Sequence, residues 1–321
     1  MSEELEKAYE YCESVTKLHA KSFYFAAKFL PIHKRKAVYP IYAFCRHVDD
    51  EIDEIGAGDE QRAIHSIEKW RAELDEVYVN AETRRRRAAK KKIEPHKNRD
   101  ENGFENQDRK LKNDNRNLVF LAWEDLLKNY EIPRNLPFEL MQGVLQDTRI
   151  KRYESFDELY VYCYRVASTV GLMSSEILGY SDKIALEYAE AMGIAMQLTN
   201  ILRDIKEDAA MNRIYLPQED LRRFGVTEKQ IFAGVFDGNF VKMMKFQIAR
   251  ARDYYARGEQ GIRLLKKDSR FTVLLAARIY SKILDEIEKQ NYNVFIRRAR
   301  TSKRQKILAI PLIWLSANKL K

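Results

Sequence analysis

Apolar residues recur at three- and four-residue intervals along most of the chain, and period-two alternation is rare. That rhythm puts apolar side chains on one face of a helix. No Asn-Gly or Asp-Gly hairpin signal lies between β-branched runs, and Asp237-Gly238-Asn239 joins two helical patterns instead. The pattern predicts an all-α protein. Helices are expected over 37–54, over 160–180 and across 194–208.

The last of these carries "NILRDIKED", in which Asn200, Asp204 and Asp208 fall four residues apart on one face. Two like charges at that spacing cost an exposed helix about 0.2–0.5 kcal/mol, little enough for a solvated acidic face. The neighbours Ile194, Met196, Leu198, Ile201, Leu202 and Ile205 are apolar, however, so the segment is expected to pack on several sides. A second helix, "AVYPIYAFCRHVDDEIDE", repeats the device. Asp49 and Asp53 sit four apart, Arg46 lies one turn before them and Tyr42 one turn earlier still. Two apolar helices, each with a row of acids, suggest carboxylates facing each other across a helical bundle. Oxygen ligands without Cys or His select a hard cation, Mg²⁺ or Mn²⁺, over zinc. Mg²⁺ takes one or two carboxylates plus water and phosphate oxygens, so the implied substrate carries phosphate or diphosphate. Arg46, Arg203 and Arg213 lie near the two rows. They read either as partners that quiet the acids or as forks for a phosphate, and one Arg can do both in turn.

The third segment, "YVYCYRVASTVGLMSSEILGY", is long and apolar with Ala167, Ser168, Thr169 and Gly171 in its middle. Gly in a helix costs about 1 kcal/mol relative to Ala. Close packing of helices and room for a bulky apolar ligand explain it equally well. Aromatic residues are frequent (18 Tyr, 15 Phe), and those in "HAKSFYFAAKFLP" stand beside the polar His19, Lys21 and Ser22. Aromatic faces stabilise cations. An apolar, aromatic cavity that ends in a metal-bound diphosphate suits ionisation of an allylic diphosphate.

Composition narrows the setting. Three cysteines, Cys12, Cys45 and Cys163, point to a reducing compartment without a disulfide framework. The acidic, amphipathic start does not read as a secretory signal, and no apolar run reaches the roughly 18–20 residues that span a bilayer. A cytoplasmic protein is expected, or one peripheral on the inner face of the cytoplasmic membrane. The net charge is +9, much of it in Thr83–Arg116, where 13 Lys and Arg face 6 Asp and Glu. That stretch has no helical stripe and reads as a flexible basic insertion. Without interleaved aromatics or a recognition motif, nucleic acid is not an expected partner. The run "RRARTSKRQKILAIPLIWL" joins basic to apolar residues, which suits an interfacial anchor or a last core helix, with the core helix weighted slightly higher.

Taken together, "HAKSFYFAAKFLP", "IYAFCRHVDDEID", "YCYRVASTVGLM", "QLTNILRDIKED" and "RIYLPQEDL" resemble the squalene/phytoene synthase family of head-to-head prenyl transferases, over about Cys12 to Ala299. The resemblance implies one isoprenoid-synthase-type helical bundle over 1–321 with a central prenyl cavity, interrupted by the insertion at 83–116. It implies Mg²⁺ (or Mn²⁺) on Asp49, Asp53, Asn200, Asp204 and Asp208. Diphosphate and the first prenyl carbons would be bound by His19, Lys21, Ser22, Phe23, Arg46, Gln197, Asn200, Arg203 and Arg213. Tyr42, Tyr215 and Tyr280 would lie near the reacting carbons, and Ala167, Val170 and Gly171 along the prenyl tunnel. Ser168 stands where many relatives have glycine, a departure that leaves room for a narrower tunnel and is expected to have little effect on the metal chemistry.

The implied reaction condenses two prenyl diphosphates through a cyclopropylcarbinyl diphosphate. Two geranylgeranyl diphosphates giving phytoene fit best. Two farnesyl diphosphates giving presqualene diphosphate, dehydrosqualene or squalene come next, and NADPH is needed only for squalene. A membrane surface and downstream isoprenoid enzymes would be partners. The reading from another class is a non-catalytic helical scaffold, which would not be expected to keep all four outer aspartates.

Overall fold

The computed structural model describes residues 2–55, 59–93 and 115–320, and among them the regular structure is helical throughout, with two isolated β-bridges. In chain order the helices are α1 (Glu3–His19), α2 (Lys21–Ala27), α3 (Ile32–Ile55), α4 (Glu60–Ile93), α5 (Asn115–Asn129), α6 (Asn135–Arg149), α7 (Phe156–Cys163), α8 (Thr169–Leu178), α9 (Ala185–Arg203) and α10 (Ile205–Ala210), then α11 (Gln218–Phe224), α12 (Glu228–Phe232), α13 (Gly238–Gln260), α14 (Lys267–Lys289) and α15 (Lys303–Asn318). Polar side chains open several of them. Ser2, Ser155 and Asp237 accept the free backbone N–H groups of α1, α7 and α13, and full capping boxes at Thr227 and Ser302 start α12 and α15. Asp237 therefore separates two helices, as the pattern predicts.

Three apolar cores form among the described residues, the smallest of them joining α2, α14 and α15. The first joins α1, α3, α4, α5 and α6, with Phe44, Trp70, Phe120 and Trp123 in mutual ring contact at its centre. The second gathers α9, α13 and α14 with the 153–163 and 214–216 segments. Lys34 ties α3 to the end of α8 and the start of α14. Its buried ammonium donates to the Leu178 carbonyl at the end of α8, and to Asp268 and Ser269 at the start of α14, all within 2.7–3.1 Å. All three of its donors are used, which is what a buried lysine requires.

The expected flexible stretch needs correction at both ends. Residues 83–93 continue α4, and Asn115–Arg116 begin α5. Arg84 pairs with Glu124, and Arg85 donates to the Leu127 and Tyr130 carbonyls, which are among the last acceptors of α5. Composition alone concealed this, because the helix is held by its arginines rather than by an apolar stripe. Residues 94–114, the rest of that expectation, lie outside the described residues.

The 160–180 segment is helical but not uniform. Between α7 and α8 the turns at Tyr164–Ser168 widen into a π-helix. Such widened turns take in an extra residue and shift the side chains that follow. Gly179, at φ +73°, then ends α8.

Candidate active site

Both aspartate rows form on the predicted faces. Asp49 and Asp53 lie near the end of α3. α9 stops at Arg203 and α10 starts at Ile205, so Asp204 sits at a break with φ −107° and ψ 14°. The row survives the break because Asp204 N–H donates to the Asn200 carbonyl and Asp208 N–H to the Asp204 carbonyl, at 2.9 and 2.8 Å. Helical spacing is thus kept on both sides of a small bend.

The arginines are already engaged. Arg46 binds Asp50 through Nε at 2.9 Å and reaches Asp49 at 3.5 Å. Arg203 donates two hydrogen bonds to Asp204, at 2.6 and 2.8 Å. Arg213 comes within 3.8 Å of Asp53. A cation absent from the sequence-based set, Arg298, also donates to both oxygens of Asp204, at 2.6 and 2.7 Å. Polar links continue inward from there. Arg203 reaches the Tyr280 hydroxyl at 3.3 Å, Tyr280 donates to Asn200 Oδ1, and Asn200 donates to Gln197 at 3.1 Å. Gln197, Asn200, Arg203, Asp204, Tyr280 and Arg298 therefore form one network.

Charge is balanced unevenly. Burial would raise the Asp204 carboxyl, but the Arg203 and Arg298 hydrogen bonds hold it below the ordinary carboxylate range. Asp208 receives no ion pair among the described residues, and burial, then Asp204 and Asp147, push it up to about 8. Burial and Asp53 push Asp49 up to about 7, although Arg46 opposes them. Asp147, near the end of α6, raises both Asp49 and Asp208. Sequence reasoning missed this residue. Its own carboxyl reaches about 6, through burial opposed by Arg213 and by hydrogen bonds from Tyr162 and Tyr215.

The other expected residues divide. Phe23 on α2 stacks on Tyr42 of α3 at 6.1 Å and 24°. Ser22 accepts from Lys306 of α15 at 2.8 Å. His19 and Lys21 are exposed at the α1–α2 junction. Tyr215 is placed by backbone pairing of 151–153 with 214–218, through Ile214 N–H to Lys151 O and Gln218 N–H to Tyr153 O. Ala167 and Val170 stay half-buried. Ser168 is fully buried and its hydroxyl donates to the Glu190 carbonyl of α9 at 2.8 Å. A Cβ on Gly171 would meet the Ala189 carbonyl at 3.2 Å, so α9 passes close to that glycine.

A model of the squalene/phytoene synthase family matches residues 16–305. The chain belongs to that family. It is 36% identical to the 15-cis-phytoene synthase of Synechocystis sp., over 98% of this chain and 87% of that protein. It is 35% identical to the enzyme of the same name from Synechococcus elongatus, over 98% and 95%. Among solved structures, a dehydrosqualene synthase in complex with ligand superposes with a TM-score of 0.81 at 29% identity, covering 98% of both chains. The all-α isoprenoid synthase architecture of this family is thus that of the bundle described above.

Among the described residues no three of His, Cys, Asp and Glu converge to enclose a metal ion by themselves. The donors nevertheless fit a hard divalent cation. They are the crowded carboxylates of Asp49 and Asp208, and Mg²⁺ needs only one or two such ligands when phosphate and water complete its shell.

Proposed function

We propose that this squalene/phytoene synthase family member joins two geranylgeranyl diphosphates head to head to give phytoene, acting as one catalytic domain over 1–321. The observation that carries the reading is the pair of crowded aspartate rows with four arginines around them. The names of the relatives favour the twenty-carbon substrate. Asp49, Asp53, Asn200, Asp204 and Asp208 would hold Mg²⁺, or Mn²⁺. When bound, the metal supplies positive charge that neutralises the diphosphate and assists its departure.

The chain's own residues do the rest. Arg46, Arg203, Arg213 and Arg298 turn their forks from carboxylate to diphosphate oxygens. The donor's C–O bond breaks, the acceptor's double bond attacks the allylic cation, and the tertiary cation so formed loses a proton as the three-membered ring closes, giving a cyclopropylcarbinyl diphosphate. That diphosphate leaves in turn, the carbon skeleton rearranges, and a proton is lost. Phe23, Tyr42 and Tyr280 present aromatic faces to the cations, and His19, Lys21 and Ser22 meet the diphosphate near the α1–α2 junction. Ala167, Val170 and Gly171 keep their assignment to the prenyl tunnel, and Gln197 its place beside Asn200 in the diphosphate site.

The second reading, two farnesyl diphosphates giving dehydrosqualene, is favoured by the superposition on a dehydrosqualene synthase. NADPH enters only if the product is squalene. A product assay separates these. Farnesyl and geranylgeranyl diphosphate are offered in separate tubes with Mg²⁺ and no reductant, and the extract is identified by mass. Phytoene from the longer substrate is expected. Thirty-carbon product alone moves the enzyme to the second reading, and no condensation from either substrate refutes both.

Metal and proton compete for the same carboxylates. Asp49 and Asp208 bind protons more tightly folded than unfolded, so metal-free stability falls as pH rises from about 4 to about 8. Mg²⁺ binds only the ionised acids. At saturating Mg²⁺ the melting temperature should therefore rise by roughly 2–4 °C at pH 8.5 and hardly at all at pH 6. Differential scanning fluorimetry checks this, and an equal gain at both pH values counts against these ligands.

Membrane contact is proposed at α15. Ala309, Ile313 and Ala317 are buried, whereas Ile307, Leu308, Leu312, Trp314 and Leu315 are 52–75% exposed. Lys303 and Arg304 stand at the same helix's start. The core-helix and anchor readings thus divide one helix between its two faces. No helix among the described residues is long and apolar enough to cross a membrane. An exposed apolar face beside basic residues suits the surface of an anionic bilayer, the inner face of the cytoplasmic membrane. Flotation with phosphatidylglycerol vesicles should recover the protein, and Leu308→Glu with Leu312→Glu should abolish recovery while leaving thermal stability within about 0.5 kcal/mol. Equal flotation of both proteins would move the contact elsewhere. Downstream isoprenoid enzymes would meet the product at that membrane.

A further inference from the structure

The second aspartate row ends in a turn that one arginine clamps. α10, which carries Asp208, has only six residues, too few for a helix to be stable by itself. It closes with Arg213 N–H donating to the Asp208 carbonyl at 2.8 Å and Asn212 N–H donating to the Ala209 carbonyl at 2.9 Å. This is the paired bonding of a Schellman turn, which calls for a left-handed residue at the helix end, and Asn212 supplies it at φ +58°. Arg152, between α6 and α7, grips that asparagine twice. Its Nη1 donates to the Asn212 carbonyl at 2.7 Å and its Nη2 to Asn212 Oδ1 at 3.1 Å. Nη1 also donates to the Lys151 carbonyl at 2.7 Å, and the same carbonyl accepts Ile214 N–H at 3.0 Å. The residues on both sides of Arg213 are therefore tied to the 151–152 strand of chain.

α12 holds Arg152 in turn. Glu228, in its first turn, accepts from Nε at 2.8 Å, and the Phe232 ring centre lies 5.3 Å from the guanidinium carbon. Four of the five donor hydrogens of the guanidinium are thus engaged and an aromatic ring lies against it, so its orientation is fixed. Arg213 is the opposite case. Among the described residues its guanidinium makes one ion pair, the 3.8 Å approach to Asp53 of the first row, and its buried Nε–H has no hydrogen-bond partner. Side-chain bonds do not place this arginine. Its backbone does, and Arg152 places the backbone.

We propose, on the footing of the diphosphate site proposed above, that Arg152 braced by α12 is a positioning residue: it sets Arg213, with donors still uncommitted, between the two aspartate rows and so fixes the hold of the site on diphosphate. Arg152 itself touches no substrate. Its effect passes through the Asn212 turn to Arg213, whose fork meets the phosphate oxygens.

The test measures binding of inorganic diphosphate at saturating Mg²⁺ by calorimetry, for the wild type, Arg152→Gln, Arg213→Gln and the double variant. Arg152→Gln should weaken binding roughly tenfold, the scale of one lost hydrogen bond to a charged group. In the Arg213→Gln background it should add less than about twofold, because both substitutions remove the same contact. Arg152→Lys should match Arg152→Gln within about twofold, since one ammonium cannot serve both Asn212 acceptors and Glu228 together. Full additivity, wild-type affinity in Arg152→Lys, or a variant that melts lower yet binds diphosphate as tightly as the wild type each overturns the proposal. If Arg152→Gln does not fold, Asn212→Gly carries the test, because glycine takes the left-handed conformation freely and only Oδ1 is lost. About threefold weaker binding is then expected, and unchanged binding overturns the proposal. A wild type that binds no diphosphate in Mg²⁺ overturns the proposed function as well, whereas a wild type that binds it beside an Arg152→Gln that binds it equally overturns the positioning role alone.

Discussion

Asp208→Asn should lower turnover by roughly 10³-fold, the equivalent of the several kcal/mol that metal-assisted charge neutralisation supplies. The same substitution should make the metal-free protein melt higher at pH 8.5. Asp208 is crowded by Asp204 and Asp147 and receives no ion pair among the described residues, so deleting its charge removes repulsion. Asp204→Asn should lose activity to a similar degree but melt lower, because Arg203 and Arg298 would lose the carboxylate that four hydrogen bonds now engage. Opposite shifts in melting temperature with parallel losses in turnover distinguish a metal-ligand row from a generally fragile helix. Turnover is read as diphosphate release and stability by thermal melt at pH 8.5. If Asp208→Asn turns over near the wild-type rate at saturating Mg²⁺, the metal assignment is wrong.

The contrast between these two neighbouring acids shows what a sequence can carry. Spacing of four residues was enough to put Asn200, Asp204 and Asp208 on one face, even though the helix breaks at Asp204. It could not say that one acid is neutralised and the other exposed to like charge, because Arg298 comes from 94 residues further along. In sequence Arg298 is one of several basic residues in "RRARTSKR", which read as a flank of the last helix. Asp147 was hidden for a similar reason, since its partners lie 15 and 68 residues away. One signal was present: Leu136, Leu140 and Val144 form the buried stripe of α6, and Asp147 continues it. An acid on an apolar stripe is an anomaly that burial turns into a site. The small-residue helix shows the same limit. Ser168 and Gly171 suited a tunnel as well as a tight crossing, and the closeness of α9 to both residues is a contact that the sequence pattern could not place.

That crossing supports the second large effect. A Cβ on Gly193 would lie 2.4 Å from Ser168 Cα and 2.6 Å from Ser168 N. These are backbone atoms of the π-helical turn, so no rotamer change relieves the clash. Gly193→Ala should cost about 3 kcal/mol, the upper end for overpacking, or roughly 6–12 °C in melting temperature. Adding Ser168→Gly should not restore it, since that change removes the side chain and leaves Cα and N in place. Two other glycines grade the effect. Gly171→Ala meets one carbonyl at 3.2 Å and should cost less, and Gly238→Ala meets nothing within 4 Å and should be neutral or slightly stabilising. The order Gly193, Gly171, Gly238 in thermal melts is the check, and full rescue by Ser168→Gly would mean that the side chain, not the backbone, sets the spacing. Activity should fall with Gly193→Ala as well. α9 runs into Asp204 and its Gly193 packs on the π-helical turn that follows α7, so a shift between them displaces the second aspartate row.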